Sequence, residues 1–151
     1  MEGAWPRVST TPVDLDEARA ELNRRCDAIE ECYEFMLAYA GQGLASDGGG
    51  GKGGQIREYL QKCDSALTGL ADFLTGFVAR LNVESMAPYG AFMAVIDRDA
   101  RDARAAVGLV LAQTSISSQL VDNLNASIHL RALLTDLFLI DEVFKAHRRS
   151  A

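Results

Sequence analysis

Few residues in this chain could do chemistry: His129 and His147, the thiols of Cys26, Cys32 and Cys63, and a glycine-rich run around Lys52. Each chemistry requires a particular spacing of its residues. Di-iron bundles hold their metal with Glu-x-x-His pairs on facing helices. Three positions before His129 stands Ala126, and three before His147 stands Phe144. Covalent haem attachment needs Cys-x-x-Cys-His, which does not occur. The cysteines lack metal-ligand spacing, so no metal and no cofactor is expected.

Thiol catalysis needs a base beside the sulfur. Cys26 and Cys63 fall on apolar helical stripes, where cysteine acts as a small hydrophobe. Cys32 falls off its stripe between Glu30, Glu31 and Glu34, and acidic neighbours make a thiol less reactive. The run Asp47–Gly54, DGGGGKGG, invites a phosphate-loop reading. That motif needs glycine six positions before the lysine and Ser or Thr directly after it. Ser46 and Gly53 stand there instead, and no strand pattern precedes them. No catalytic residue is expected, and the chain reads as a non-enzyme.

The elements that carry these residues are helical. Asp14 and Glu17 form a capping-box pattern, with Thr11–Pro12 a second possible start one turn earlier. From there Leu15, Ala18, Leu22, Cys26, Ile29, Tyr33, Met36 and Ala40 recur at steps of three and four. Asp47–Gly54 reads as a flexible connector that buries nothing. Next, Ile56, Leu60, Cys63, Leu67, Leu70, Leu74, Phe77 and Leu81 form a heptad seam. Gly69 and Gly76 interrupt its helix interior and are expected where another helix passes close. Ser85 and Pro88 open a third helix, whose apolar face is Tyr89, Phe92, Ile96, Ala100, Ala103, Val107 and Leu111. The serine-rich stretch Gln113–Gln119 competes for backbone hydrogen bonds and predicts a tight turn near 115–118. A fourth helix follows through Leu120, Leu124 and Ile128.

The spacing therefore predicts an all-α, single-domain, antiparallel (up-down-up-down) four-helix bundle, with helices over 14–45, 55–82, 86–115 and 118–147. An extended arm over 1–13 precedes a bundle over 14–148. Trp5 in that arm is expected to fold back on the body. A bundle of this size with a histidine in its last helix resembles the histidine phosphotransfer domains in architecture. That family's motif is His-x-Leu-Lys-Gly, whereas this chain has His129, Leu130, Arg131, Ala132 and Leu133. Lysine and glycine are both missing, and the resemblance stops at architecture.

The net charge of −6 argues against a nucleic-acid partner. No window approaches the ~18 uninterrupted apolar residues of a membrane span. Met1–Val13 has no secretory h-region, and with three cysteines this leads to the expectation of reduced thiols in a cytoplasm. The best functional signal is Leu130–Phe144. Leu133, Leu137, Ile140 and Phe144 fall on one line of the helix, with Leu134 and Phe138 to one side, Leu139 and Val143 to the other. A helix apolar on several sides needs more than one cover. Leu134, Phe138, Leu139 and Val143 are the expected interface of a homodimer, giving an accessory, adaptor or regulatory protein. The alternative is a small-ligand or cofactor pocket near Asn123, Asn125 and His129.

Overall fold

The computed structural model describes the backbone of residues 12–48 and 52–150. The arm residues Met1–Thr11, Trp5 among them, lie outside the described residues, as do 49–51. Among the described residues there are six helices: α1 (Pro12–Ala40), α2 (Lys52–Leu67), α3 (Leu70–Leu81), α4 (Ala87–Leu111), α5 (Ser118–Ala126) and α6 (His129–Ser150). Among the described residues there is no strand, and no helix is long and apolar enough to cross a membrane.

Helices expected to be continuous over 55–82 and 118–147 are each broken in two. Gly69 sits in the left-handed region (φ 68°, ψ 16°) between α2 and α3. A Cβ at Gly69 would meet nothing within 4 Å, so no close helix explains this glycine. It serves the backbone conformation instead. Gly76 stays inside α3, where a Cβ would meet only the Arg80 guanidinium at 3.8 Å. The carbonyls freed at the break have a tertiary cap. Arg25 Nη1 of α1 donates to the Ala66 and Thr68 carbonyls at 2.9 and 2.8 Å. The Arg25 guanidinium also lies 5.2 Å from the centre of the Phe73 ring. The seam survives this break, with every member from Ile56 to Phe77 buried and Leu81 half-buried.

The second break falls at Ile128 (φ 65°), a β-branched residue in a region such residues rarely occupy. Ser127 ends α5 by donating its hydroxyl to the Leu124 carbonyl. The run of Asn and Ser in this stretch thus marks a joint, not one continuous helix. The turn between α4 and α5 is present, but α4 ends at Leu111, several residues before the expected 115. Ser117 caps α5 by accepting from Leu120 N at 3.0 Å.

Helix α1 begins at Pro12, the earlier of the two possible starts, and stops at Ala40, short of residue 45. Its buried residues are Ala18, Leu22, Ile29, Cys32, Met36 and Tyr39. With the half-buried Arg25, these make a regular four-three seam. The sequence stripe drifts from this by one position, so Cys32 is fully buried while Cys26 is only partly so. The two exchange the places expected of them. Arg25 can occupy a seam position because its guanidinium lies over the Phe73 ring and reaches the Ala66 and Thr68 carbonyls.

Side-chain pairs give the directions of packing. Phe35 stacks on Tyr59 (4.4 Å between centroids) while Arg25 reaches Ala66, so α1 and α2 run in opposite directions. Arg104 pairs with Asp64 and Arg57 reaches the Leu111 carbonyl, so α2 and α4 oppose likewise. Tyr39 meets Ile116 and Arg19 pairs with Asp141, which sets α1 against the α5–α6 segment. One core cluster joins all six helices.

The connector after α1 is tied down where the sequence suggests only mobility. Asp47 is 7% exposed. Its carboxylate accepts from Arg57 Nε (2.6 Å) and from Ile116 N (2.8 Å). Arg57 also donates to the Leu111 and Gln113 carbonyls. Beside it, Ser118 Oγ donates to the Tyr39 carbonyl (2.6 Å) and accepts from Leu44 N (2.8 Å). Tyr39 Oη donates to the Ile116 carbonyl (2.6 Å). Polar side chains thus pair the backbone of two loops with each other, as buried loop backbone requires.

Candidate interaction surface

Helix α6 carries its core line as the spacing predicts: Leu133, Leu137, Ile140 and Phe144 are buried, and Leu130 joins them. Phe144 stacks on Phe77 of α3 at 4.3 Å. Of the four expected interface residues, Leu134 is 6% exposed and belongs to the core. It lies on the same flank of α6 as Asp141, which pairs with Arg19 of α1. Phe138 and Leu139 are exposed (55% and 56%), and Val143 is half-buried.

Leu139 and Val143 do not stand alone. With Ile140 they form one wall of an apolar groove of about 310 Å³, whose other wall is Pro88, Tyr89 and Phe92 of α4. The sequence assigns Tyr89 and Phe92 to the core. Instead the core takes Met93, one position on, and leaves both rings half-buried at its margin. Spacing could not separate Phe92 from Met93, since both are apolar and adjacent on the helix. At the groove's end Tyr89 Oη lies 2.7 Å from His147 Nε2.

Farther along the same seam, Asp136 of α6 faces Asp99 of α4. Burial, together with the neighbouring Asp99 carboxyl, pushes the Asp136 carboxyl up to about 7. As ionised carboxylates the two offer acceptors only, which leaves the buried Asp136 Oδ2 without a donor. A proton on Asp136 resolves this through an O–H···O bond to Asp99.

The outer face of α6 is amphipathic in a further sense. Arg131, Thr135, Phe138 and Glu142 follow steps of four, three and four, and all are exposed. This is the spacing of a helix-pairing stripe, with Leu139 beside it. The alternative site residues are arranged differently. His129 and Asn123 are exposed at the α5–α6 joint, and the Asn123 side-chain oxygen accepts from Gln119. Asn125 is half-buried, and its carbonyl accepts from Ile128 N within the joint. His129 is the first residue of α6 and not a mid-helix histidine. No group of three or more His, Cys, Asp or Glu able to hold a metal ion occurs among the described residues. Comparison of the chain with family models, curated proteins and solved structures gave no match.

Proposed function

We propose that this protein is a non-catalytic helical-bundle protein that acts by binding protein, as a homodimer formed through α6. The reading treats α2–α3 and α5–α6 as two broken rods, which with α1 and α4 make an antiparallel, up-down-up-down four-helix bundle. One observation supports the dimer above others: the exposed stripe on α6 is complementary to itself. Arg131 and Glu142 lie within about 20° of one another on the helix wheel, three turns apart, with Phe138 between them. When two α6 helices meet antiparallel about the centre of that stripe, Arg131 faces the partner's Glu142 twice over. Phe138 and Leu139 then lose their contact with water, and the α4–α6 groove lies alongside. Closed twofold contacts need such a self-complementary patch. With −6 on each copy, an apolar centre is required to hold the pair together.

Light scattering on the intact chain tests this reading: a monomer at tens of micromolar refutes it. Phe138→Glu with Leu139→Glu is expected to give a folded monomer, since both side chains are exposed. Leu139→Glu with Val143→Glu should do the same, at some cost in stability because Val143 is half-buried. Arg131→Glu should weaken the dimer, and adding Glu142→Arg should restore it. Restoration distinguishes the antiparallel register from any other pairing through α6.

A further inference from the structure

Three cysteines allow three single pairings, and the fold selects one. Cys32 of α1 and Cys63 of α2 are both 0% exposed and lie on facing seams. They are bracketed by the Arg25–Ala66 hydrogen bond on one side and the Phe35–Tyr59 stack on the other. The Cys32 thiol is the largest single influence on the Cys63 thiol, as facing positions on packed helices require. Cys26 sits six residues before Cys32 on a different flank of α1, where Asp141 of α6 and Glu30 and Asp27 of α1 act on it.

We propose that Cys32 and Cys63 are a modification site: a vicinal dithiol that closes to an intramolecular disulfide, cross-linking α1 to α2, with glutathione disulfide or a similar small disulfide as oxidant. The proposal is independent of the dimer. Fully buried cysteines at facing positions of two packed helices have side chains directed into the same contact, which a disulfide requires. A disulfide between α1 and α2 bridges the glycine-rich connector and so shortens a loop that the unfolded chain would otherwise leave free.

The burial that positions the thiols also protects them. The adjacent Cys32 thiol, burial and nearby Asp64 hold the Cys63 thiol protonated, and only a thiolate attacks a disulfide. Closure therefore begins with a transient opening between α1 and α2. One cysteine thiolate then attacks glutathione disulfide, forming a protein–glutathione disulfide and releasing one glutathione thiolate. The second cysteine thiolate attacks the protein-bound sulfur and releases the other. Two electrons pass from the cysteines to the oxidant, two protons are taken up by the departing glutathione, and no adduct remains.

The test is to incubate the full chain with glutathione disulfide, trap remaining thiols with iodoacetamide, and map the peptides. The expected product has lost two hydrogens, carries one alkylated cysteine at Cys26, and links the peptides of Cys32 and Cys63. It should melt at a higher temperature than the reduced chain and return to it with dithiothreitol. Cys26→Ala should react in the same way, leaving no thiol to alkylate. A bond involving Cys26, a stable glutathione adduct as end product, or a closed form that melts lower than the reduced chain overturns the proposal. So does a failure to close after incubation just below the melting temperature, where α1 and α2 open most often.

Discussion

Replacing Gly69 and Gly76 by alanine, one at a time, should change stability in opposite directions. The two glycines stand one heptad apart beside the same seam, and an unbroken helix would treat them alike. In an unbroken helix each alanine would stabilise, since interior glycine costs about 0.5–1 kcal/mol relative to alanine. In the structure only Gly76 meets that condition. Its Cβ would lie 3.8 Å from Arg80 Nη1, an ordinary contact, so Gly76→Ala should stabilise by roughly 0.5–1 kcal/mol. Gly69 has φ 68°, where an L-residue pays about 1–2 kcal/mol. Nothing lies within 4 Å of its Cβ to add a steric term. Alanine also restricts the unfolded chain, which returns about 0.4–1 kcal/mol. The net expectation for Gly69→Ala is therefore a loss of about 1 kcal/mol, and a spread near 2 kcal/mol between the variants. For a chain of this length each 1 kcal/mol moves Tm by about 2–4 °C. Urea unfolding followed by far-ultraviolet circular dichroism resolves that difference. If Gly69→Ala stabilises as much as Gly76→Ala, then α2 and α3 are one helix and the Arg25 cap has no carbonyls to serve.

Two carboxyl groups should give opposite pH dependences. Asp136 is raised to about 7, so the folded chain binds a proton that the unfolded chain releases near pH 4. Its contribution is full below that pH and is lost as pH rises towards and through 7. Asp136→Asn keeps a hydrogen-bond donor towards Asp99, so at pH 8 it should be more stable than the parent, with the advantage vanishing near pH 4. Urea titrations across this range check the expectation, and parallel curves for parent and variant would refute the shared proton. Asp47 is shifted down by the Arg57 and Ile116 hydrogen bonds. Its contribution is present above the unfolded pKa near 4 and is lost as pH falls below it. Asp47→Ala, which strands Ile116 N and uncouples Arg57, should cost about 2–4 kcal/mol at pH 7. An effect below 0.5 kcal/mol, the size of an ordinary surface change, would mean that the loop knot does not contribute to stability.

Composition and periodicity alone determine the helical class, the seam from Ile56 to Phe77 and the core line of α6. Apolar residues at steps of three and four can be buried together on one side only if the backbone is helical. The same pattern sets Leu134, Phe138, Leu139 and Val143 beside that line, of which Phe138 and Leu139 are exposed, Val143 is half-buried and Leu134 is core. Periodicity does not report where a helix stops when its seam continues across the break. Leu67 and Leu70 keep their heptad places on either side of Gly69, and only a positive φ separates them. It also cannot choose between neighbours of equal hydrophobicity, which is why Cys26 and Cys32, and likewise Phe92 and Met93, change places. Pairings between distant segments have no local signature at all. By composition Asp47 belongs to a polar connector, and only the fold brings Arg57 and Ile116 beside it. Cys32, among glutamates in the sequence, is buried because its neighbour in space is Cys63. The apolar surplus of α6 is legible from the chain itself. That Leu134 is core, that Tyr89 and Phe92 complete a groove with Leu139 and Val143, and that Asp99 faces Asp136 is decided by packing, because each depends on which helix lies alongside.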